Sequence, residues 1–412
     1  MKPGYIKSLD GIRGLAVLLV ICHHWSFNSL NLPFGWVGVQ LFFVLSGFLI
    51  TRILLNEKQF EFSKYLKRFY LKRALRIFPL YYGFLIFLSL VFILSATVLV
   101  NKSFSVNIIA LLHELPVNGV FIFTYTYNFM EIFHRCISHS PLPDSYMFSH
   151  LWSLSVEEQF YIVFPFIVYF FSIKNFKRFL IFVLIACPVL RFVCIDILQS
   201  FTADNYFIGT IIYRQTPFQF DALCLGACLA VFDLKAILSR PKTAFYLFLI
   251  FTVAVGLINY ILLHSTVQHV SLKGLGYEYA ENMVYGNRLS YGLTFINICC
   301  CLLIWCSIKG DHVSQLFETR PMLYIGKISY GIYLLHYPLL RIYNIMLSHI
   351  FTDEQINNNF LIEVTVFIVY VSFVILVSTA SYYMFELKFL KLKEKISNVE
   401  SNEVSPVLPR IT

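Results

Sequence analysis

An acid, an arginine and a pair of histidines interrupt an otherwise apolar run near the start of the chain: Leu9-Asp10-Gly11-Ile12-Arg13-Gly14, then Leu15–Cys22, then His23-His24-Trp25. At about 100° per residue, the steps from Arg13 to His24 carry a helix about 20° past three full turns, so these two side chains share one face. His23 is turned about 100° away and is expected to pack or to meet lipid headgroups. Arg13 and His24 lie roughly 16 Å apart along the axis, about half of a bilayer's hydrocarbon thickness, so one helix offers polar chemistry at two depths. A neutral imidazole is suited to take a proton near neutral pH, and Asp10 with Arg13 can tune the local field or orient an anion. Ionisable groups inside a membrane helix mark function by default. The plainer alternative is a structural Asp10–Arg13 pair at the membrane surface and a histidine satisfied by hydrogen bonds.

Three other groups carry comparable chemistry. His150-Leu151-Trp152-Ser153-Leu154-Ser155-Val156-Glu157-Glu158-Gln159-Phe160-Tyr161 puts two acids and several hydroxyls at the mouth of a span. Glu157 and Glu158 are about 100° apart, so at most one shares a face with Ser153 or Tyr161; a water-exposed helix entrance is the alternative. Arg73 and Arg76, one turn apart, lean the same way and can bind one polyphosphate bidentately, with Lys72 adding charge beside them. The same run would also serve as a positive-inside anchor on anionic lipid. With no Walker loop or G-x-G-x-x-G nearby, a nucleotide-hydrolysing machine is disfavoured. Ser329 and His336 share a face of another apolar span, where His336 alone reads as a hydrogen-bonded core histidine, and Glu386 stands at the end of the last span, where Lys388 would anchor it. The ten cysteines have no metal-ligand spacing and are expected to be buried free thiols, so no metal is expected.

These residues must be held by helices. At 412 residues, 58% hydrophobic and 13% charged, the chain is too apolar for an ordinary soluble fold and reads as an all-α polytopic membrane protein. The expectation is about ten transmembrane helices, near 9–29, 35–55, 77–99, 151–172, 179–199, 218–232, 243–263, 288–308, 322–347 and 361–385. Ser105–Asn128, broken by His113-Glu114-Leu115-Pro116, is expected to dip into the membrane and return, because a full crossing would put Lys174, Lys177 and Arg178 outside. His134–His150, with Pro141 and Pro143, and Ser200–Pro217 read as outer loops, as do the segments carrying Glu278, Glu281, Asp353 and Glu354. The basic stretch Lys58–Arg76 reads as a cytoplasmic loop, and Lys235, Arg240, Lys242, Lys309 and Arg320 as inner markers, which puts both termini in the cytoplasm. The net charge of +9 is therefore a matter of topology, and nucleic acid is not an expected partner. Residues 1–390 are expected to form one membrane-embedded domain, the first helix being retained rather than cleaved, and 391–412 a disordered cytoplasmic tail.

Five stretches in order, LDGIRGLAVLLVICHHW (9–25), GWVGVQLFFVLSGFLI (35–50), RFYLKRALRIFPLYY (68–82), HLWSLSVEEQFY (150–161) and SYGIYLLHYPL (329–339), resemble the acyltransferase 3 family of membrane O-acyltransferases. The resemblance implies an integral-membrane enzyme that transfers acyl groups, often acetyl, to glycans or other hydroxyl compounds. Motif by motif, it implies that His24 is the catalytic histidine, Arg13 the first-helix arginine, and Arg73 and Arg76 the cytoplasmic R-x-x-R pair; Glu157 falls in W-S-L-x-x-E. The family's Glu-x-Pro ending is only half present, since Leu387 and Lys388 follow Glu386. The esterase-like domain of some relatives is not expected here, for want of length and of a Gly-Asp-Ser motif. The chain would then complete transfer by itself or hand over to a separate envelope protein.

The expected site thus has His24, Glu157 and Asp10 as catalytic groups. Arg13, Arg73, Arg76 and Lys72 hold the acyl-CoA donor, expected to be acetyl-CoA, and His150, Trp152, Ser153 and His336 hold the acceptor, an envelope glycan or a lipid-linked carbohydrate. The expected setting is the inner cell membrane, among its lipids. The rival is a transporter or flippase without covalent chemistry, which predicts internal symmetry and broken helices in both halves; neither is visible in the sequence.

Overall fold

Asp10 in the first turn and His23 and His24 in the last put an acid at the positive end of the first helix dipole and imidazoles at the negative end. The structure is a computed structural model and describes residues 5–97, 109–110, 112–138, 147–233, 240–264, 284, 287–309 and 312–401. The longer helices are α1 (Lys7–His24), α2 (Val37–Glu57), α3 (Phe62–Thr97), α4 (Glu114–Phe123), α5 (Leu151–Phe170), α6 (Ile173–Phe201) and α7 (Asn205–Arg214). They continue with α8 (Phe220–Val231), α9 (Pro241–His264), α10 (Arg288–Ile308), α11 (Arg320–Lys327), α12 (Ser329–Ser348), α13 (Phe360–Ser381) and α14 (Leu387–Ser401). No strand occurs among the described residues. Among the described residues, seven helices are long and apolar enough to cross a membrane: α2, α3, α5, α6, α9, α10 and the continuous helix from Phe360 to Ile396. The chain is a polytopic helical membrane protein. Large side chains such as Phe87 on α3, Phe182 on α6 and Ile261 on α9 remain exposed, as lipid contact requires.

Several expected boundaries change. The segment Lys64–Arg76 is not a loop but the opening of α3, a helix of 36 residues, because Tyr65, Phe69, Ile77 and Tyr81 recur between the charges at helical spacing and are buried. The expected span 218–232 is realised as α8, whose 12 residues rise only about 18 Å, too short to cross hydrocarbon alone. Within the expected dip, α4 has ten residues, about 15 Å of helix, while 105–108 and 111 lie outside the described residues. The expected outer loop Ser200–Pro217 contains α7, which starts because the Asp204 carboxylate accepts from Phe207 N at 3.0 Å. Residues 391–401, expected in the tail, are helical in α14, which packs on α3. Pro141, Pro143, Lys235, Glu278, Glu281 and residues 402–412 lie outside the described residues.

Close backbone approach positions α2 on α8. A Cβ on Gly47 of α2 would fall 1.8 Å from the Leu223 carbonyl oxygen of α8, and one on Gly226 of α8 would fall 1.9 Å from that of Val44. The two helices therefore touch backbone to backbone, the contact that small residues permit where apolar burial cannot drive association. After α1 the chain turns back under the control of Glu363 on α13, whose carboxylate accepts from Trp25 Nε1 at 3.2 Å, Ser29 N at 3.2 Å and Leu30 N at 2.9 Å. That clamp fixes the end of α1, and with it His24.

A second polar clamp joins α6, α8 and α10. Arg191, fully buried, donates to both Asp221 oxygens at 3.2 and 2.6 Å, to the Phe218 carbonyl at 2.7 Å and to Thr294 Oγ1 at 2.6 Å. Breaking one side of such a pair strands the other charge. Arg191→Leu is expected to cost about 3–5 kcal/mol, and Arg191→Leu with Asp221→Leu markedly less, as read by thermal unfolding in detergent.

Candidate active site

Two cavities lie along α1. One, of about 100 Å³, is lined by Arg13, Arg73, Arg76, Glu157, Glu158 and Tyr161 among others. The other, of about 230 Å³, is lined by His23, His24, His150, Trp152, Tyr337 and Arg341 among others. They share Val39 and Tyr333. The Tyr333 hydroxyl is hydrogen-bonded with Ser153 Oγ and lies 3.1 Å from the His150 carbonyl oxygen, so this tyrosine forms the partition between them.

In the arginine cavity, Arg73 and Arg76 make no hydrogen bond or ion pair with any described residue, and Arg73 sits 5.2 Å from the Tyr161 ring centroid. Arg73 feels the opposite charges of Glu158 and Glu157 and the like charge of Arg13, and Arg76 feels the like charges of Arg13 and Arg73 and the opposite charge of Asp10. Three guanidiniums gather around an open space that Glu157 and Glu158 also line, and the two without a hydrogen bond to a described residue have forks free to hold an anion. Glu157 belongs here too, where Ser46 Oγ donates to it at 2.7 Å; it does not line the histidine cavity, which separates it from the proton chemistry expected of it.

Lys72 departs from expectation. Its Nζ is 2.8 Å from Glu57 Oε1, beside Arg68 on the same carboxylate, because it stands about 100° round the helix from Arg73. Asp10 also lines neither cavity; it accepts from Arg13 Nη1 at 2.6 Å and from the Tyr5 hydroxyl at 2.5 Å. At about 21 Å of helix from His24, it orients Arg13 and touches nothing that reacts there.

Backbone carbonyls fix the histidine tautomers. His336 Nδ1 lies 2.7 Å from the Tyr333 carbonyl oxygen, which only accepts, so Nδ1 carries the proton and Nε2 a lone pair. That lone pair faces His24 Nδ1 at 3.1 Å, and His24 Nδ1 also meets the Val20 carbonyl at 3.0 Å. His24 therefore donates from Nδ1, leaving Nε2 bare, without a protein partner and open to the cavity. His150 has the opposite tautomer, since Nε2 donates to the Leu334 carbonyl at 3.1 Å, and its Nδ1 is buried without a partner.

His336 is completely buried behind His24 and lines neither cavity, so the acceptor does not reach it. Its place is to support His24. His23, by contrast, does line the histidine cavity: Leu32 N bonds back to the Cys22 carbonyl at 3.1 Å and His23 Nδ1 meets the Leu32 carbonyl at 3.2 Å, so the returning loop wraps the side that would otherwise meet lipid. Trp152 lines this cavity and Ser153 the other, one on each side of the partition. Among the described residues, no group of three His, Cys, Asp or Glu side chains is placed to hold a metal ion.

Residues 6–383 match the family model described as "Acyltransferase domain". The chain belongs to the acyltransferase 3 family. It is 30% identical over 346 residues to the peptidoglycan O-acetyltransferase OatA of Listeria monocytogenes, covering 82% of this chain and 50% of that one. It is 29% identical over 350 residues to the putative peptidoglycan O-acetyltransferase YrhL of Bacillus subtilis, with 82% and 49% covered. A putative O-acetyltransferase of Staphylococcus aureus is 28% identical over 397 residues, with 95% and 58% covered. The chain thus spans about half the length of the curated relatives it matches. No solved structure matches.

Sequence reasoning missed Tyr333 and Tyr337, although both lie in the stretch 329–339, and it missed Arg341, Glu131 and Arg214, which also line the histidine cavity. An arginine four residues after Tyr337 in an apolar run is a readable signal for Arg341; Arg214 stands in the expected outer loop Ser200–Pro217, and Glu131 falls between the expected dip and the next outer loop, in a stretch given no role. The tautomers are directly measurable. In the ¹⁵N spectrum of histidine-labelled protein in nanodiscs at neutral pH, His24 and His336 are expected to be protonated on Nδ1 and His150 on Nε2. A His24 protonated on Nε2 would contradict the arrangement.

Proposed function

We propose that the chain is an O-acyltransferase that takes an acyl group, acetyl in the first instance, from acyl-CoA in the arginine cavity and delivers it to a hydroxyl of an envelope glycan in the histidine cavity. The observation that carries this reading is that two cavities lie along α1 with Val39 and Tyr333 between them, one holding Arg13 beside the open Arg73 and Arg76 of α3, the other the open imidazole lone pair of His24. The names of the relatives make a cell-wall glycan the first acceptor to try.

In this reading Arg73, Arg76 and Arg13 hold the nucleotide phosphates, and the pantetheine arm runs past Tyr333 towards His24. His24 Nε2 takes the proton of the acceptor hydroxyl as its oxygen adds to the thioester carbonyl. Collapse of the adduct breaks the carbon–sulfur bond, and the coenzyme A thiolate receives that proton from His24. While His24 is charged, its Nδ1–H keeps two acceptors, His336 Nε2 and the Val20 carbonyl, which stabilise the imidazolium. His336 cannot pass the proton onward, because its own Nδ1–H ends on the Tyr333 carbonyl. Its role is positioning.

The donor enters from the side of the Lys58–Arg76 basic stretch, which faces the cytoplasm with both termini under the positive-inside rule. Of the ten cysteines only Cys136 is exposed, and it stands at the start of the expected outer loop. A membrane-impermeant maleimide added to intact cells is expected to label it; labelling only after the cells are opened would reverse the orientation.

Purified protein in nanodiscs, given radiolabelled acetyl-CoA and cell-wall glycan fragments, tests the activity. Label transfer is expected, with His24→Ala lowering turnover at least about 10²-fold and His24→Asn faring little better. Arg73→Ala or Arg76→Ala is expected to weaken acetyl-CoA binding by about 1.5–3 kcal/mol, with Lys only partly restoring it. Normal turnover in His24→Asn would remove the histidine from proton transfer.

A further inference from the structure

The histidine cavity also contains a cation that the proposed transfer does not use. Arg341 follows Tyr337 by four residues on α12, donates from Nη2 to the Tyr337 hydroxyl at 2.8 Å, and has its guanidinium carbon 5.1 Å from that ring's centroid. Its Nε is buried without a hydrogen-bond partner, while Nη1 has no partner among the described residues. No carboxylate among the described residues pairs with it. Glu131, the carboxylate that lines the same cavity, is taken by Arg135 at 3.4 Å and Arg214 at 3.8 Å. Glu114, which feels the charge of Arg341 from farther away, already accepts from the Tyr127 hydroxyl and from Phe148 N at 3.1 Å.

A half-buried guanidinium with an orphaned N–H is costly unless something completes it, and its planar fork matches a carboxylate or a phosphate. Tyr337 joins this charge to the reacting group, since its ring centroid is 4.9 Å from that of His24 and 5.6 Å from that of His150. We propose that Arg341 is the anion-recognition residue of the acceptor site, and that the natural acceptor is an acidic glycan whose carboxylate or phosphate docks on Arg341 while a hydroxyl meets His24. This rests on reading the histidine cavity as the acceptor site. The step from Tyr337 to Arg341 rises about 6 Å, which suits an anion on the acylated sugar or the one next to it.

Matched acceptor probes test it on the whole chain in nanodiscs by calorimetry. The probes are N,N′-diacetylchitobiose, which is neutral; its counterpart bearing a lactyl carboxylate, N-acetylglucosaminyl-N-acetylmuramic acid; and N,N′-diacetylchitobiose phosphorylated at a 6-hydroxyl. At least one acidic probe is expected to bind about 10-fold or more tightly than the neutral one, and which one distinguishes carboxylate from phosphate recognition. Arg341→Gln is expected to bring the acidic probe to parity with the neutral one, Arg341→Lys to keep part of the preference, and both to bind acetyl-CoA as the wild type does, which certifies their folding. Equal affinities in the wild type, failure of every probe to bind, or a preference that survives Arg341→Gln would overturn the proposal. Acetyl transfer to the bound probes is read separately. Transfer without acid preference removes only the role of Arg341, whereas acid-selective binding without transfer leaves Arg341 its role and removes the acyltransferase reading.

Discussion

A polar side chain carried by a helix through hydrocarbon must find its partner inside the protein, because lipid supplies none. Most of the contacts that place this site obey that constraint. Glu363 gathers Trp25 Nε1 and two backbone amides and so ends α1 where His24 is needed. Arg191 and Asp221 hold α6, α8 and α10 together. His336 spends one nitrogen on a carbonyl and the other on His24, so that of the paired imidazoles only His24 Nε2 remains open. The groups left without ion pairs among the described residues are correspondingly informative: Arg73 and Arg76 beside the Glu157–Glu158 pair in one cavity, and Arg341, bonded only to the Tyr337 hydroxyl, in the other.

The partition at Tyr333 gives the two cavities different chemistry on a common wall. One side carries guanidiniums, a carboxylate pair and an aromatic face; the other carries imidazoles, aromatic rings, Glu131 with Arg214, and Arg341, which pairs with no carboxylate among the described residues. A donor held by phosphates and an acceptor held by hydroxyls and an anion would meet only at the partition, where the Tyr333–Ser153 hydrogen bond lies.

Much of this was legible in the chain alone. The turn arithmetic from Arg13 to His24 follows from the fixed pitch of a helix, and the structure has both residues facing cavities along one helix. The helical membrane class follows from composition, since only helices or closed barrels satisfy their backbone in lipid and no barrel-like alternation is present. Loop and span boundaries were less legible where charge and helix coincide. Lys64–Arg76 reads as a loop by charge and folds as helix, because the apolar residues between the charges keep the helical period.

The sequence by itself determined which residues could do chemistry and on which helix each rides, because periodicity within one helix is a local property. Only the tertiary structure decided what each meets, because that depends on helices far apart in the chain. It turned His336 from an acceptor contact into the support of His24 across 312 residues, put Lys72 on Glu57, and brought His23 into the cavity by folding 25–36 back over it. It also left Arg341 without a carboxylate partner among the described residues. A period of 3.6 residues tells which way a side chain points from its own axis, but not which neighbour stands there; that is set by the packing of helices whose close contacts, as at Gly47 and Gly226, join positions nearly 180 residues apart.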